Sequence, residues 1–180
     1  MKKRGTAYGV LAVVLVLGTL FGTFRSLTSE RRSASEAFYV GVDGSGYGIS
    51  TNLDLRVEYA RNLCKIAARY DASAETEQVE QACSDLEAAE GFSEKYDANT
   101  ALTDAVETLD QKLQSLSLSQ EDDEFRQSLT ADIASYEMKI DKLATDFNAG
   151  ARQFNDHVLG GFPAELFGAL TGVEEVEEYA

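Results

Sequence analysis

The sequence predicts an all-α protein: an N-terminal transmembrane helix followed by an antiparallel four-helix bundle with a long last helix. Three observations carry this expectation. A single proline in 180 residues leaves room for long, uninterrupted helices. Apolar residues recur at steps of three and four along most of the chain, the period of one helix face. No stretch alternates apolar and polar residues for long enough to argue a sheet.

Charge divides the chain into two unlike parts. Lys and Arg number 16 and Asp and Glu 31, a net charge of −15. Residues 1–32 hold six basic side chains against Glu30, a balance of +5, and the rest holds ten basic against thirty acidic, a balance of −20. That acidity excludes a nucleic-acid binder, which needs basic surface to displace counterions from phosphates. Two cysteines do not make a disulfide scaffold, and one histidine does not make a His-rich metal cage. With 44% hydrophobic and 9% aromatic residues, the acidic part is not a disordered tail.

The first element is the uncharged run 7–24, bracketed by Lys2, Lys3 and Arg4 and by Arg25, Arg31 and Arg32. Its 18 residues cover ~27 Å at ~1.5 Å per residue, close to the thickness of a bilayer core. Ala7, Leu11, Val14, Leu17, Phe21 and Phe24 mark the expected anchor. The run is longer than the apolar core of a cleaved signal peptide, and no small-x-small site follows it directly. The basic N-tail at 1–6 favours an orientation with the C-terminal domain outside, although the flanking charges are equal in number. Residues 25–50 are expected to form a polar juxtamembrane spacer and a flexible joint, since Gly41, Gly44, Gly46 and Gly48 fall within eight positions.

The bundle is expected over 51–159. A first helix starts after Ser50-Thr51-Asn52 and runs from Leu53 to about Tyr70, with Val57, Ala60, Leu63, Cys64 and Ala67 on one face. A second, about 74–90, buries Val79, Ala82, Cys83 and Leu86 and ends at Gly91. A loop passes through Tyr96 to Asn99, and a third helix carries Leu102, Val106, Leu109 and Leu113. The last helix carries one stripe from Phe125 through Leu129, Ile133, Tyr136, Ile140, Leu143, Phe147, Ala151 and Phe154 to Val158. Gly160-Gly161 stops it. Within 160–180 a short amphipathic helix opens at Pro163 and presents Phe162, Leu166, Phe167, Leu170 and Val173, and the acidic end Glu174–Ala180 is expected to be frayed and solvated.

The order and spacing of several short motifs resemble the LemA family of bacterial membrane-anchored helical-bundle proteins. Glu137-x-x-Ile140, Phe147-Asn148, Phe154-Asn155 and Phe162-Pro163 are similar to that family's E-x-x-I, Y-N, Y-N and F-P series. Arg56, Asn62, Leu63 and Tyr70 are similar to its first-helix motif. The chain is a divergent member on this reading. Arg61 stands where the family has proline, so the helix should continue through it; residues 117–124 lack the family's proline; Ala144 stands where an arginine is usual; and Asn155 and Phe162 are one residue further apart than the resemblance implies. The resemblance implies an anchored bundle and no established reaction.

The candidate chemistry is sparse. Asp43-Gly-Ser-Gly46 is similar to part of a calcium loop, but that register lacks its first carboxylate and its bidentate Glu. The glycines fail as a dinucleotide fingerprint, having no strand before them. His157 has no Glu three residues before it, so a di-iron motif is absent, and a place at the helix C-terminus suits it better. Cys64 and Cys83 are expected to be buried free thiols, a cross-helix disulfide being the alternative for an exported domain. Asn148 and Asn155, seven residues apart, are expected to bond a neighbouring element or a partner, and Glu137 to pair with Arg56 or Lys65. Phe162 and its neighbours are expected to cap the bundle.

These features together predict a protein without catalytic or metal-ligating residues and without a cofactor. It would contact membrane lipid through its N-terminal helix and an unidentified protein partner through the bundle, and no nucleic acid. The expected role is interaction or scaffolding at the bacterial plasma membrane. The alternatives are an accessory or sensor subunit of an envelope protease or transport system, and, less favoured, a carboxylate metal enzyme.

Overall fold

The computed structural model describes residues 2–161 and 172–180; in its first helix the side chains of residues 2–7, 9, 10 and 12 lie outside the description. The described residues form five α-helices and no strand: α1 Lys2–Val40, α2 Ile49–Ala67, α3 Ser73–Ala88, α4 Phe92–Gln114 and α5 Gln120–Gln153, with a π-helical turn at Phe154–Leu159. Two compact units are formed, Met1–Glu36 with Ala149–Val176, and Ala37–Asn148 with Glu177–Ala180. The larger unit therefore starts 14 residues before the expected 51–159 range and recovers the chain's last four residues.

In this larger unit α2, α3, α4 and the first part of α5 run alternately up and down. Cys64 meets Thr76 and Arg61 meets Glu87, so α2 and α3 are antiparallel. Thr103 meets Glu137 and Arg126 meets Asp110, so α4 and α5 are antiparallel too. Each helix contributes one apolar face to a shared core that includes Val57, Leu63, Val79, Leu102, Leu109 and Ile140. A helix with a single apolar stripe finds stability chiefly in such tertiary packing.

Local chemistry sets the helix ends. α2 starts at Ile49 rather than Leu53, and Gly48, in extended conformation, is its N-cap. A Cβ on Gly48 would lie 2.4 Å from the Phe38 carbonyl oxygen, so only glycine lets the chain pass there. α2 runs without interruption through Arg61, the site where the resembled family has proline. Gly91, expected to end α3, is instead the N-cap of α4. The expected loop to Asn99 is helical from Phe92, because the Glu94 carboxylate reaches back to accept from the Glu90 and Gly91 N–H groups at 3.2 and 3.3 Å. Ser119 opens α5, its hydroxyl accepting from the Asp122 N–H at 3.2 Å.

Three further expectations are corrected. The spacer is helical to Val40, and Leu27 and Phe38 within it are buried. The glycine-rich joint is a defined turn. Gly41, Gly44 and Gly46 take positive φ, Gly44 N–H donates to Gly41 O at 3.0 Å, Gly46 N–H donates to Val40 O at 2.8 Å, and Ser45 N–H donates to Asp43 Oδ1 at 3.0 Å. Phe125 leaves the core stripe, being 61% exposed, while Asp122 and Arg126 are buried beside it in sequence. Leu129, Ile133, Ile140, Phe147, Ala151 and Phe154 keep the stripe as expected.

The acidic end is not frayed. In the smaller unit Val176 is buried, and Arg31 Nε donates to the Glu174 carbonyl at 2.9 Å. In the larger unit Tyr179 is buried. The expected amphipathic helix, with Phe162, Pro163, Leu166, Phe167 and Leu170, lies outside the described residues.

Among the described residues no helix is long and apolar enough to cross a membrane. The 18 uncharged residues expected to do so include four side chains outside the description, at 7, 9, 10 and 12.

Candidate functional site

The motif positions gather into a buried polar centre and into seats for the C-terminal tail. Arg56 is the centre. Its side chain is fully buried in the larger unit. A guanidinium held out of water needs acceptors on each nitrogen it can reach. α4 supplies two: Asn99 Oδ1 accepts from Nη1, and Thr103 Oγ1 accepts from Nη2 at 2.9 Å. α5 supplies the charge, with Glu137 Oε2 3.6 Å from Nη2. Thr103 then donates to Glu137 Oε1 at 2.9 Å, closing the network. Burial lowers the Arg56 pKa below its ordinary value, and Glu137 opposes that shift. Of the two basic residues expected to meet Glu137, it is Arg56 that does. Lys65 instead donates to Asn62 Oδ1 at 2.9 Å.

The second constellation holds the tail. In the larger unit Asn148 Oδ1 accepts from the Tyr179 N–H at 2.8 Å, and its Nδ2 donates to the Tyr179 carbonyl at 3.0 Å. In the smaller unit Asn155 makes the same pair of bonds with Val176, at 2.8 and 2.9 Å. A carboxamide has one acceptor and one donor side, so it satisfies both backbone groups of an extended residue at once. Phe147 and Phe154, each preceding its asparagine, are buried.

A third point joins the end of α2 to the start of α5. Tyr70 donates to Asp122 Oδ2 at 2.6 Å and accepts from the Ser119 N–H at 3.1 Å. Arg69 lies 2.5 Å from the other carboxylate oxygen. The Tyr70 hydroxyl holds the Asp122 carboxyl below its ordinary pKa, with Ser119 and Arg69 adding to the effect. Leu63 and Ile140 are core residues.

Sequence reasoning missed Tyr179, Val176, Phe38, Asn99 and Thr103. Signals were present. Val173, Val176 and Tyr179 recur every third residue in an otherwise acidic tail, and Asn99 and Thr103 lie one helical turn apart. Phe38 sits in a four-residue apolar stretch at the end of the polar spacer.

Among the described residues no group of three His, Cys, Asp or Glu is placed to hold a metal ion. Cys64 and Cys83 are both free and buried. Burial pushes their thiols up to about 12 and about 11, which disfavours the reactive thiolate. His157 is exposed on the π-helical turn. A surface cleft of about 410 Å³ is lined by Asp54, Glu58, Arg61, Asn62, Lys65 and Glu87, where Arg61 grips both Glu87 oxygens at 2.6 and 2.8 Å. A cavity of about 110 Å³ lies beside Arg56, Thr103, Ile133 and Glu137. Compared with protein-family models, curated proteins and solved structures, the chain matches none.

Proposed function

We propose that this chain is a membrane-anchored, LemA-like helical-bundle protein that serves, without catalysis, as an interaction or scaffolding component at the bacterial plasma membrane, its acidic bundle on the outer side. The observation that carries the anchor is the apolar surface of α1. Leu11, Val13, Val14, Leu15, Val16 and Leu17 are each more than half exposed. Five consecutive residues cover more than one helical turn, so this surface surrounds the helix. A contiguous apolar surface of this kind is normally covered by a partner or by lipid. The flanking basic residues suit the headgroup regions on either side. The family reading is supported by the use of its motif positions: Arg56 with Glu137, and Asn148 and Asn155 on the tail, all carry contacts.

The test is extraction of cell membranes at alkaline pH. The full chain should stay in the pellet, and a chain lacking residues 1–24 should be released. A cysteine placed at Gly44 should react with an impermeant maleimide added to intact cells. Release of the full chain would refute the anchor, and labelling only after lysis would reverse the orientation.

A further inference from the structure

Residues 177–180 occupy a seat that meets their backbone, one carboxylate and one aromatic ring. Asn148 takes both backbone groups of Tyr179, the pair of bonds that a neighbouring β-strand would make. The Phe92 N–H, at the N-terminus of α4, donates to Glu177 Oε2 at 2.8 Å, where the helix dipole favours an anion. Ser93 Oγ donates to the Ala180 carbonyl at 3.0 Å. Between these contacts the Tyr179 ring is only 3% exposed, with the Phe38 ring 5.8 Å away and the Tyr96 ring edge-on at 5.4 Å. Backbone, carboxylate and aromatic ring are thus each met by a separate group.

The hold is incomplete. The Tyr179 hydroxyl is buried without a hydrogen-bond partner, and so is Arg56 Nε. Burying an unpaired polar group opposes docking, so the ring's burial is partly offset. Gly172, at φ +66°, supplies a turn in the segment that leads to the tail.

We propose that this seat also docks the C-terminal tail of a second copy of this chain, with the tail of the same chain as its competitor. The argument for a second copy is complementarity. The seat matches a Glu-x-Tyr-Ala segment, and every copy of the chain carries that segment at 177–180. Exchange between copies re-forms every contact just described, which is why swapping of identical elements is a low-cost route to dimers. A tethered tail has an effective concentration in the millimolar range, so the intramolecular arrangement dominates in dilute solution. Exchange becomes visible when the chain's own tail is weakened.

The test uses full chains in detergent and a labelled synthetic peptide of residues 172–180. Tyr179→Ala empties the aromatic part of the seat and leaves Asn148, Phe92 and Ser93 in place. This variant should bind the peptide at least ten-fold tighter than the unaltered chain does, and a scrambled peptide should not bind. A chain with Asn148→Ala has an intact tail and a damaged seat. Mixed in equal amounts, the two variants should form one-to-one complexes in native mass spectrometry, while each alone stays monomeric. If Tyr179→Ala fails to fold by circular dichroism, Glu177→Ala serves instead, since it removes only the contact at the helix end. A mixture that stays monomeric overturns the proposal, even if the peptide binds, because the seat then takes a peptide but not a second copy. Equal binding of the scrambled peptide overturns it as well.

Discussion

Arg56 on α2 and Glu137 on α5 lie 3.6 Å apart across the bundle, and the Thr103 hydroxyl of α4 bridges them, accepting from one and donating to the other. Three helices are thereby tied at one point. The two charges differ in exposure, Arg56 being fully buried and Glu137 35% exposed in its side chain. Water screens the carboxylate and not the guanidinium, so the two are not equivalent partners.

Removing each should therefore have unequal consequences. Arg56→Ala removes the buried charge itself, leaving Asn99 without its donor and a carboxylate that water can reach, and should lower unfolding stability by ~1–3 kcal/mol. Glu137→Gln keeps an acceptor for Thr103 but leaves the fully buried guanidinium without its countercharge, so a loss of ~3–5 kcal/mol is expected. Urea unfolding followed by circular dichroism measures both. An Arg56→Ala chain as stable as the unaltered one would show the network to be incidental.

Asp122 gives the fold a pH dependence. Its folded-state pKa lies below the ordinary 3.8, chiefly through the Tyr70 hydroxyl. The stabilisation is therefore complete above the unfolded value and is lost as pH falls through the folded one. Asp122→Asn should melt below the unaltered chain at pH 7, and the gap should narrow below about pH 4. A gap that is constant from pH 7 to pH 2 would contradict this.

The thiols should be inert in the native state. With Cys64 pushed up to about 12 and Cys83 to about 11, both buried, alkylation at pH 8 should be slow in buffer and fast in urea. Native labelling as fast as denatured labelling would mean that α2 and α3 open readily.

The turn between α1 and α2 separates two kinds of glycine. Nothing lies within 4 Å of a Cβ at Gly44, whose φ is +69°, a conformation that asparagine tolerates. Gly44→Asn should change stability by less than ~0.5 kcal/mol. Gly48→Ala drives a methyl against the Phe38 and Tyr39 backbone and should cost more than ~2 kcal/mol. Thermal melts of the two variants make the comparison, and equal effects would mean that the turn is as loose as its composition suggests.

The last aromatic cluster offers a similar contrast. Phe38 stacks on Phe92 at 4.5 Å and meets Phe147 at 5.6 Å. Phe38→Ala should cost ~3–5 kcal/mol, and Tyr47→Ala, at a side chain 69% exposed, should be within ~0.5 kcal/mol of neutral. Equal melting temperatures would remove Phe38 from the core.

The helices were legible in the sequence because each writes its own period. Leu129, Ile133, Ile140 and Phe147 announce their face whatever they pack against. The seven-residue spacing of Asn148 and Asn155 likewise announced a shared face, and Glu137 announced a buried partner. What stayed hidden depends on groups far apart in the chain. Phe92 belongs to α4 because Glu94 and Glu177 satisfy its first N–H groups, and Glu177 is 85 residues away. The tail looks solvated by composition, since four of its seven residues are glutamate, and what orders it comes from far away in the chain, the two carboxamides that take up its backbone among them. Phe125 misleads in the opposite sense, having the right spacing at a point where Asp122 and Arg126 are buried instead.

The π-helical turn at Phe154–Leu159 bears on how the chain's length can vary. Its bonds skip one residue more than those of an α-helix, as in the 2.9 Å bond from the Gly160 N–H to the Asn155 carbonyl. Such a turn takes one more residue per coil than an α-helix does, and Phe154, its first residue, is buried all the same. Removing one of Asp156, His157 or Val158 would tighten the coil to an ordinary one, which makes this turn a place where insertions and deletions are absorbed before they reach the tail.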